Sequence, residues 1–153
     1  MSIHTGNGNG GFSSVSDGEK RCKSELCFEA LGDLDELSAA LGLAKAAGAD
    51  SDIIEDFQKT LVKIMSHISC GRECYLLTKE EARIPLAEAD ISLTCFTLPG
   101  KYEKSARLHF ARTVARRAER SYVRLHRKSP LDENAIAYLN RLSDALFVMA
   151  TDC

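Results

Sequence analysis

The 153-residue sequence has no run of about eighteen apolar residues, so no helix is expected to cross a membrane. Its first residues also lack the apolar core of a secretory signal peptide and the basic, amphipathic pattern of a transit segment. We therefore expect a cytoplasmic protein whose six cysteines stay reduced. The length fits a single domain with enough apolar residues for a core.

Several familiar site motifs are also missing. The sequence has no Walker A motif, no GxGxxG motif after a strand and no CxxC pair of the kind that binds zinc. His67, Cys70 and Cys74 have helical spacing but no fourth ligand, which favours buried thiols over a metal centre. No Ser–His or Cys–His catalytic pair is visible. The sequence therefore predicts no protein-held metal.

Charge is unevenly distributed, although the formal net charge is only −2. Residues 101–128 contain ten Lys or Arg and two acidic residues, so this stretch carries +8 and the remainder carries −10. The small net charge argues against a dedicated nucleic-acid binder. A basic patch on an acidic protein fits either an anionic small ligand or contact with another subunit.

Hydrophobic periodicity predicts four main helices, at about residues 24–47, 51–70, 103–128 and 132–151. Ser51 or Asp52 is expected to cap the second helix. Residues 71–100 are less regular: Thr78 begins a possible short fifth helix, Pro85 interrupts it, and 93–100 is an extended or looped apolar run. Because the helices are long and their connections short, the predicted fold is all-α, an antiparallel bundle with a ferritin-like up-and-down arrangement.

Glycine is concentrated at the start of the chain, in the sequence GNGNGG at 6–11. Such a segment disfavours helix and allows backbone N–H groups to approach a phosphate. A flexible terminus explains the same composition, and spacing alone favours that explanation. Residues 1–23 are thus expected to be a loop, with a possible role in nucleotide binding, ahead of a helical bundle at 24–153.

Polar residues accompany the apolar stripes of the first, third and fourth helices: Asp35, Arg112, Arg116, Glu119, Asn140 and Asp144. The three on the third helix fall within a band ~60° wide, which suits a polyanionic ligand. A structural network, in which the three aspartate and glutamate carboxylates neutralise the arginines, explains the spacing equally well. Both explanations can hold, because arginines fixed by carboxylates form a preorganised anion site. Asn140, beside core positions, is expected to be a ligand contact or a buried polar bridge.

Five segments occur in the order found in the PduO-type corrinoid adenosyltransferases, which the chain resembles over most of its length: GEKRCK at 18–23, FEALGDLDEL at 28–37, FTLPG at 96–100, RTVARRAER at 112–120 and NRLSD at 140–144. The resemblance implies a five-helix bundle that assembles as a homotrimer with active sites between subunits. It implies transfer of the 5′-deoxyadenosyl group of ATP to cob(I)alamin, which forms adenosylcobalamin and triphosphate, with Mg²⁺ on the ATP phosphates. A corrinoid reductase and an adenosylcobalamin-dependent enzyme are the implied protein partners.

The resemblance also implies roles for individual residues. Arg116 resembles the main triphosphate arginine, whose planar guanidinium binds phosphate oxygens in pairs. Asp35 and Arg112 resemble an inter-subunit salt bridge beside the corrin, and Phe96 resembles the aromatic that packs under the cobalt and displaces its lower ligand. The implied ATP contacts are phosphate contacts from Lys23 and Arg117, nucleotide and ribose contacts from Glu119 and Asn140, and further contacts from Thr5, Gly8, Gly11 and Asp144.

The chain departs from the family pattern in its first loop. Family members have a Thr-Lys-Thr-Gly-Asp-like sequence, whereas this chain has Gly6 in place of the lysine and Asn9 in place of the aspartate. Losing that lysine removes a charge-assisted phosphate contact of about 1.5–3 kcal/mol. The region between Cys70 and Phe96 is expected to be shorter than the family's by about one helix, and relatives continue past position 153 into an arginine-containing tail.

Two alternatives to an active adenosyltransferase remain. The altered first loop motivates one, a catalytically weakened relative that binds ATP or corrinoid as a carrier, sensor or partner subunit. The other is a helical interaction domain whose basic helix contacts nucleic acid or a partner, and the small net charge disfavours nucleic acid.

Overall fold

The computed structural model describes residues 6, 8–16, 18–70, 72–88 and 98–151. In these ranges the fold consists mainly of four α-helices: α1 (Leu26–Ala46), α2 (Ser51–Cys70), α3 (Glu103–Lys128) and α4 (Glu133–Thr151). The predicted all-α bundle is confirmed, and each predicted helix boundary lies within two residues of the observed one. No helix in the described ranges is both long enough and apolar enough to cross a membrane.

The helix α3 is central to the bundle, because it packs against both α1 and α4, while α1 also packs against α2. The connections 47–50 and 129–132 are four residues long, which makes the helices that they join antiparallel neighbours. Fully buried leucines from α1, α3 and α4 and isoleucines from α2 fill the core. Leu26, Ile68 and Met149 pack against this core and are half-buried.

The helix ends follow from local side-chain chemistry. Gly48 adopts a φ of 92°, and its N–H donates to Lys45 O at 2.9 Å, which ends α1 as predicted. The expected cap of α2 is wrong: Asp50 Oδ1 accepts from the N–H groups of Asp52 and Ile53, each at 3.1 Å. A capping side chain reaches N–H groups two and three residues ahead, so the cap lies one residue earlier than the composition indicated.

Residues 72–88 form two short 3₁₀-helices (Glu73–Tyr75 and Pro85–Glu88) and no fifth α-helix. Thr78 and Glu81 make the reciprocal hydrogen bonds of a capping box, at 2.8 and 3.1 Å, but the turn ends before Pro85. Asp132 anchors this segment, since its Oδ2 accepts from Leu77 N at 2.7 Å while its Oδ1 accepts from Asn134 N. The predicted extended run at 93–100 lies mostly outside the described residues.

The N-terminal segment differs from the expected loop. The strands β1 (Phe12–Ser14) and β2 (Lys20–Cys22) pair antiparallel, with Phe12 opposite Cys22. Ser16 N donates to Ser69 O at 3.1 Å, which attaches the hairpin to the end of α2. The expectation of a loop without strands is therefore wrong for these residues. Strands of three residues are too short for an alternating pattern to reveal them.

Candidate active site

A groove of about 710 Å³ runs along one face of α3. Five arginines, one glutamate and one valine line it: Arg116, Arg117, Glu119, Arg120, Val123, Arg124 and Arg127. Residues spaced by three and four along a helix share a face, so the sequence of α3 alone places these side chains together. The uneven charge of the sequence is thus concentrated in a concave surface that suits an anion.

Three of the residues assigned to ATP meet at one end of the groove. Arg116 Nη1 donates to Asn140 Oδ1 at 3.1 Å and lies 3.6 Å from Glu119 Oε2. The first contact joins α3 to α4, and the second lies within α3. Asn140 is exposed, so a buried polar bridge is excluded and its hydrogen bond holds the arginine at the surface. The guanidinium keeps further N–H donors for a ligand.

Arg117 is held differently, in contacts with α1. Its Nε lies 3.3 Å from Asp33 Oδ1, and its Nη2 donates to Glu36. The hydrogen bond to Glu36 raises the pKa of Arg117, and the negative charge of Asp33 adds to the effect. This arginine, assigned to phosphate by resemblance, is therefore already largely neutralised within the chain.

The acidic residues that neutralise α3 are mostly not the expected ones. Glu119 lies beside Arg116, but within the described ranges neither Asp35 nor Asp144 forms an ion pair. The carboxylates on α1 perform this function instead: Glu29 pairs with Arg124, and Asp33 and Glu36 pair with Arg117. These three carboxylates are spaced at i, i+4 and i+7, so they share one face of α1. The first and the last are seven residues apart, as the two arginines are, and this match is visible in the sequence.

The glycine-rich turn and Lys23 come together at the hairpin. Lys23 N donates to Gly11 O at 2.9 Å, and Lys23 Nζ lies only 2.7 Å from the position of a Cβ added at Gly8. Gly11 has a φ of 79° and Gly6 a φ of 70°. This left-handed conformation costs an L-residue about 1–2 kcal/mol, so the family's lysine would be strained at position 6 of this backbone. Thr5 lies outside the described residues.

Arg112 belongs to a separate, partly buried cluster between α3 and α4. Its guanidinium carbon lies 5.9 Å from the ring centre of Phe147, and its buried Nε has no hydrogen-bond partner among the described residues. The ring of His109 meets Phe147 edge-on at 5.8 Å and is 2% exposed, and neither of its nitrogens has a hydrogen-bond partner in the described part of the chain. Burial lowers the pKa of His109, and the charge of Arg112 adds to the effect.

Some of the residues assigned to the site form no hydrogen bond or ion pair with the others within the described ranges. Asp35 is exposed and forms no ion pair with Arg112 within the described ranges, and Phe96 lies outside them. Sequence reasoning missed His109 and Phe147, although His109 lies only one turn before Arg112 on the same helix.

A family model described as cobalamin adenosyltransferase matches residues 3–153, almost the whole chain. The chain belongs to the cobalamin adenosyltransferase family. The corrinoid adenosyltransferase PduO of Salmonella typhimurium is 38% identical over 164 residues, which cover 98% of this chain and 49% of that protein. The corrinoid adenosyltransferase MMAB of Bos taurus is 38% identical over 167 residues, which cover 97% of this chain and 69% of that protein. The chain thus spans about half the length of the Salmonella relative.

Solved structures give the same result for this member of the cobalamin adenosyltransferase family. A phenylalanine-to-histidine variant of the PduO-type ATP:corrinoid adenosyltransferase from Lactobacillus reuteri, complexed with cobalamin and ATP, has a TM-score of 0.83 at 26% identity. The match covers 97% of this chain and 89% of the other. An arginine-to-lysine variant of the Lactobacillus protein, complexed with ATP, has a TM-score of 0.82 and covers 97% of this chain and 91% of the other.

Proposed function

We propose that the protein transfers the 5′-deoxyadenosyl group of ATP to cob(I)alamin, forming adenosylcobalamin and releasing triphosphate. The observation that carries the proposal is the meeting of Arg116, Glu119 and Asn140, from two helices, at the end of an arginine-lined groove. Family membership supports it, as do the names of the relatives, which are corrinoid adenosyltransferases.

The chemistry requires positioning and charge stabilisation rather than a protein nucleophile. The electron pair of Co(I) forms the cobalt–carbon bond at C5′ while the C5′–O bond breaks, and that bond's electron pair leaves with triphosphate. The cobalt is thereby oxidised from Co(I) to Co(III). Arg116 would stabilise the negative charge that grows on the leaving group, and Glu119 and Asn140 would orient the nucleoside. Arg117 and Asp144 are proposed as further ATP contacts.

The glycine-rich segment 1–23 is proposed as the other half of the nucleotide site. Gly8 and Gly11 would bring backbone N–H groups to phosphate oxygens, and Lys23 would add an ammonium group. Thr5 is assigned to the same task by resemblance alone. Mg²⁺ would bind the triphosphate oxygens and neutralise part of their charge; the described residues contain no group of three or more His, Cys, Asp or Glu arranged to hold a metal ion.

On the corrin side, we assign Phe96 to the lower face of the cobalt and Arg112 to a salt bridge with Asp35 of a second copy. One observation supports a homotrimer with sites between subunits. Within the described ranges, Arg112 Nε is buried without a partner while Asp35 is exposed without an ion pair, so the two groups are complementary. We further propose that the protein is cytoplasmic and that its protein partners are a corrinoid reductase and an adenosylcobalamin-dependent enzyme.

A second candidate is a weakened relative that binds ATP or corrinoid as a carrier, sensor or partner subunit. The observation that favours it is Gly6, whose left-handed backbone disfavours the family's lysine at this position. Anaerobic incubation with ATP and chemically reduced cobalamin separates the two, with the product followed by UV–visible absorbance. We expect ATP-dependent conversion to adenosylcobalamin. ATP binding without conversion would favour the second candidate.

A further inference from the structure

A cleft of about 320 Å³ lies between the first half of α2, the segment 81–86 and α4. We propose that it binds a small, neutral ring compound that carries one hydrogen-bond acceptor, and we call it the ring cleft. The inference does not depend on the proposed function. It assigns a ligand to a part of the molecule that the candidate active site does not use.

The ring cleft is separate from the groove on α3. Tyr138 is the residue of α4 that lines the cleft, and Asn140, which contacts Arg116, follows two residues later. At 3.6 residues per turn, the side chains of Tyr138 and Asn140 leave α4 ~160° apart, on nearly opposite sides of the helix. A ligand in the ring cleft therefore leaves the candidate active site free.

The lining of the ring cleft is mainly apolar. Phe57, Ile84 and Tyr138 are its buried members, at 7%, 5% and 2% exposure, whereas Ile53 is 36% exposed and lies at the edge. Two of these side chains are aromatic, and aromatic rings pack against one another in preferred geometries. The volume is at the lower end of the range for small-molecule pockets. The cleft therefore suits a compound of one or two rings.

The charges around the ring cleft are balanced, which favours a neutral ligand. Each of the three charged side chains in its lining forms an ion pair with a residue outside the lining: Asp56 with Lys59 at 3.0 Å, Glu81 with Lys63 at 2.7 Å, and Arg83 with Glu88 at 2.8 Å. Three cations thus offset three carboxylates. An ionic ligand would lose its hydration on entering and gain no unpaired opposite charge in return.

The hydroxyl of Tyr138 supplies the polar contact. Its Oη is buried and forms no hydrogen bond of normal geometry among the described residues. The neighbouring hydroxyl of Thr60 donates its own proton to Asp56 O at 3.0 Å. Burial raises the pKa of Tyr138, and the nearby Thr60 hydroxyl offsets this effect only in part. The phenol therefore stays protonated at neutral pH and has a proton to donate to a ligand.

Thr60 controls access to this donor. Tyr138 Oη is shielded from solvent, so a ligand reaches it by displacing the hydroxyl of Thr60, which lines the cleft beside it. Threonine in a helix occupies two χ1 rotamers, so the displacement needs no change in the backbone. An acceptor on the ligand then takes the proton of Tyr138, and a buried donor that lacked a partner gains one.

The first test is a saturation-transfer difference NMR titration of the full chain with three compounds of similar size. Acetophenone carries a carbonyl oxygen, α-methylstyrene has a CH₂ group in place of that oxygen, and benzoate is charged. We expect acetophenone to bind about two- to tenfold more tightly than α-methylstyrene, because a neutral hydrogen bond contributes about that much. Benzoate should bind most weakly. Equal affinities, or no saturable binding of acetophenone, would overturn the proposal.

A variant of Tyr138 tests the donor. Tyr138→Phe should abolish the preference for acetophenone over α-methylstyrene and leave the bundle folded, because the hydroxyl makes no hydrogen bond within the described ranges. Circular dichroism checks the fold. The matched control is Tyr102→Phe, a change at an exposed tyrosine outside the cleft. A preference that persists in Tyr138→Phe, or that is lost equally in Tyr102→Phe, would contradict the proposed site.

A variant at the edge tests the location. Ile53→Trp should fill the ring cleft and abolish acetophenone binding, whereas Val62→Trp, at a 55% exposed position of α2 outside the cleft, should not. Unchanged binding in Ile53→Trp would place the ligand elsewhere and overturn the proposal. So would a change of oligomeric state in Ile53→Trp if the unmodified protein binds none of the compounds, since the cleft would then be a contact between copies.

Discussion

The two sides of α3 use the same residue types in opposite ways. On the side that faces α1, both arginines are paired with carboxylates, since Arg117 contacts Asp33 and Glu36 and Arg124 contacts Glu29. Elsewhere on the helix such partners are absent within the described ranges, where Arg120 and Arg127 have no ion pair and Arg112 Nε has no hydrogen bond. One side therefore joins helices, and the other leaves donors available to a ligand or a second subunit.

The largest effect should come from Arg116, at the end of the ligand side. Arg116→Ala should reduce adenosylation by about 10²–10³-fold, because it removes the main donor to the charge that develops on triphosphate. The bundle should remain folded, since this side chain is 47% exposed. The anaerobic conversion assay measures the rate, and circular dichroism checks the fold. Arg107→Ala is the matched control on the same helix, and retained activity in Arg116→Ala would remove its assignment.

The next effect tests whether Arg112 of one copy of the chain forms a salt bridge with Asp35 of a second copy. Asp35→Arg and Arg112→Asp should each weaken trimer formation and lower activity, because each places like charges across the proposed interface. Combining them should restore both properties in part, since the salt bridge is reversed. Sedimentation velocity gives the oligomeric state, and the conversion assay gives the activity. A double variant no better than the worse single variant would contradict the proposed salt bridge.

A smaller effect concerns the pH dependence of stability at His109. Because its pKa is lowered in the folded state, the unfolded chain takes up the proton first as the pH falls through the ordinary value near 6.5. His109 therefore destabilises the fold progressively below that pH, with a slope of up to about 1.4 kcal/mol per pH unit, and has no such effect above it. The non-titrating variant His109→Gln should lose less stability than the unmodified protein between pH 7.5 and pH 5.5 in urea titrations. Equal losses of stability in His109→Gln and in the unmodified protein over this pH range would exclude this role for His109.

The long helices could be predicted because each has an apolar stripe that only a bundle can bury. Leu34, Leu37 and Leu41 on α1 are completely buried, as their spacing indicated. Local detail was harder to predict. The Asp50 cap, the single turn at Thr78 and the three-residue strands depend on particular hydrogen bonds, and hydrophobic periodicity carries no information about them.

Residue spacing predicted only the part of the candidate site that lies on one face of α3. Spacing placed Arg116 and Glu119 together, and resemblance added Asn140 from α4, which the hydrogen bond to Arg116 brings to the same place. The pairing of Arg117 with α1 was missed because it depends on how two distant segments are aligned, 81 to 84 residues apart. The spacing of residues predicts the face of the helix on which a side chain lies. Which residue of another helix it contacts depends on how the two helices pack.

The smallest effect separates the two sides of α3 most directly. Arg117→Met should lower the free energy of unfolding by only about 0.5–1 kcal/mol, because Arg117 and Glu36 are 43% and 48% exposed and solvent screens the pairs, although Asp33 is half-buried. Arg120→Met, with no ion pair in the described ranges, should leave stability unchanged and weaken triphosphate binding instead. Urea unfolding and calorimetry on the two variants make the comparison. Because Arg117 is also a proposed ATP contact but is already paired with two carboxylates, Arg117→Met should weaken triphosphate binding less than Arg120→Met does. If Arg117→Met lost at least as much triphosphate affinity as Arg120→Met without losing stability, the division of the helix into a structural side and a ligand side would be wrong.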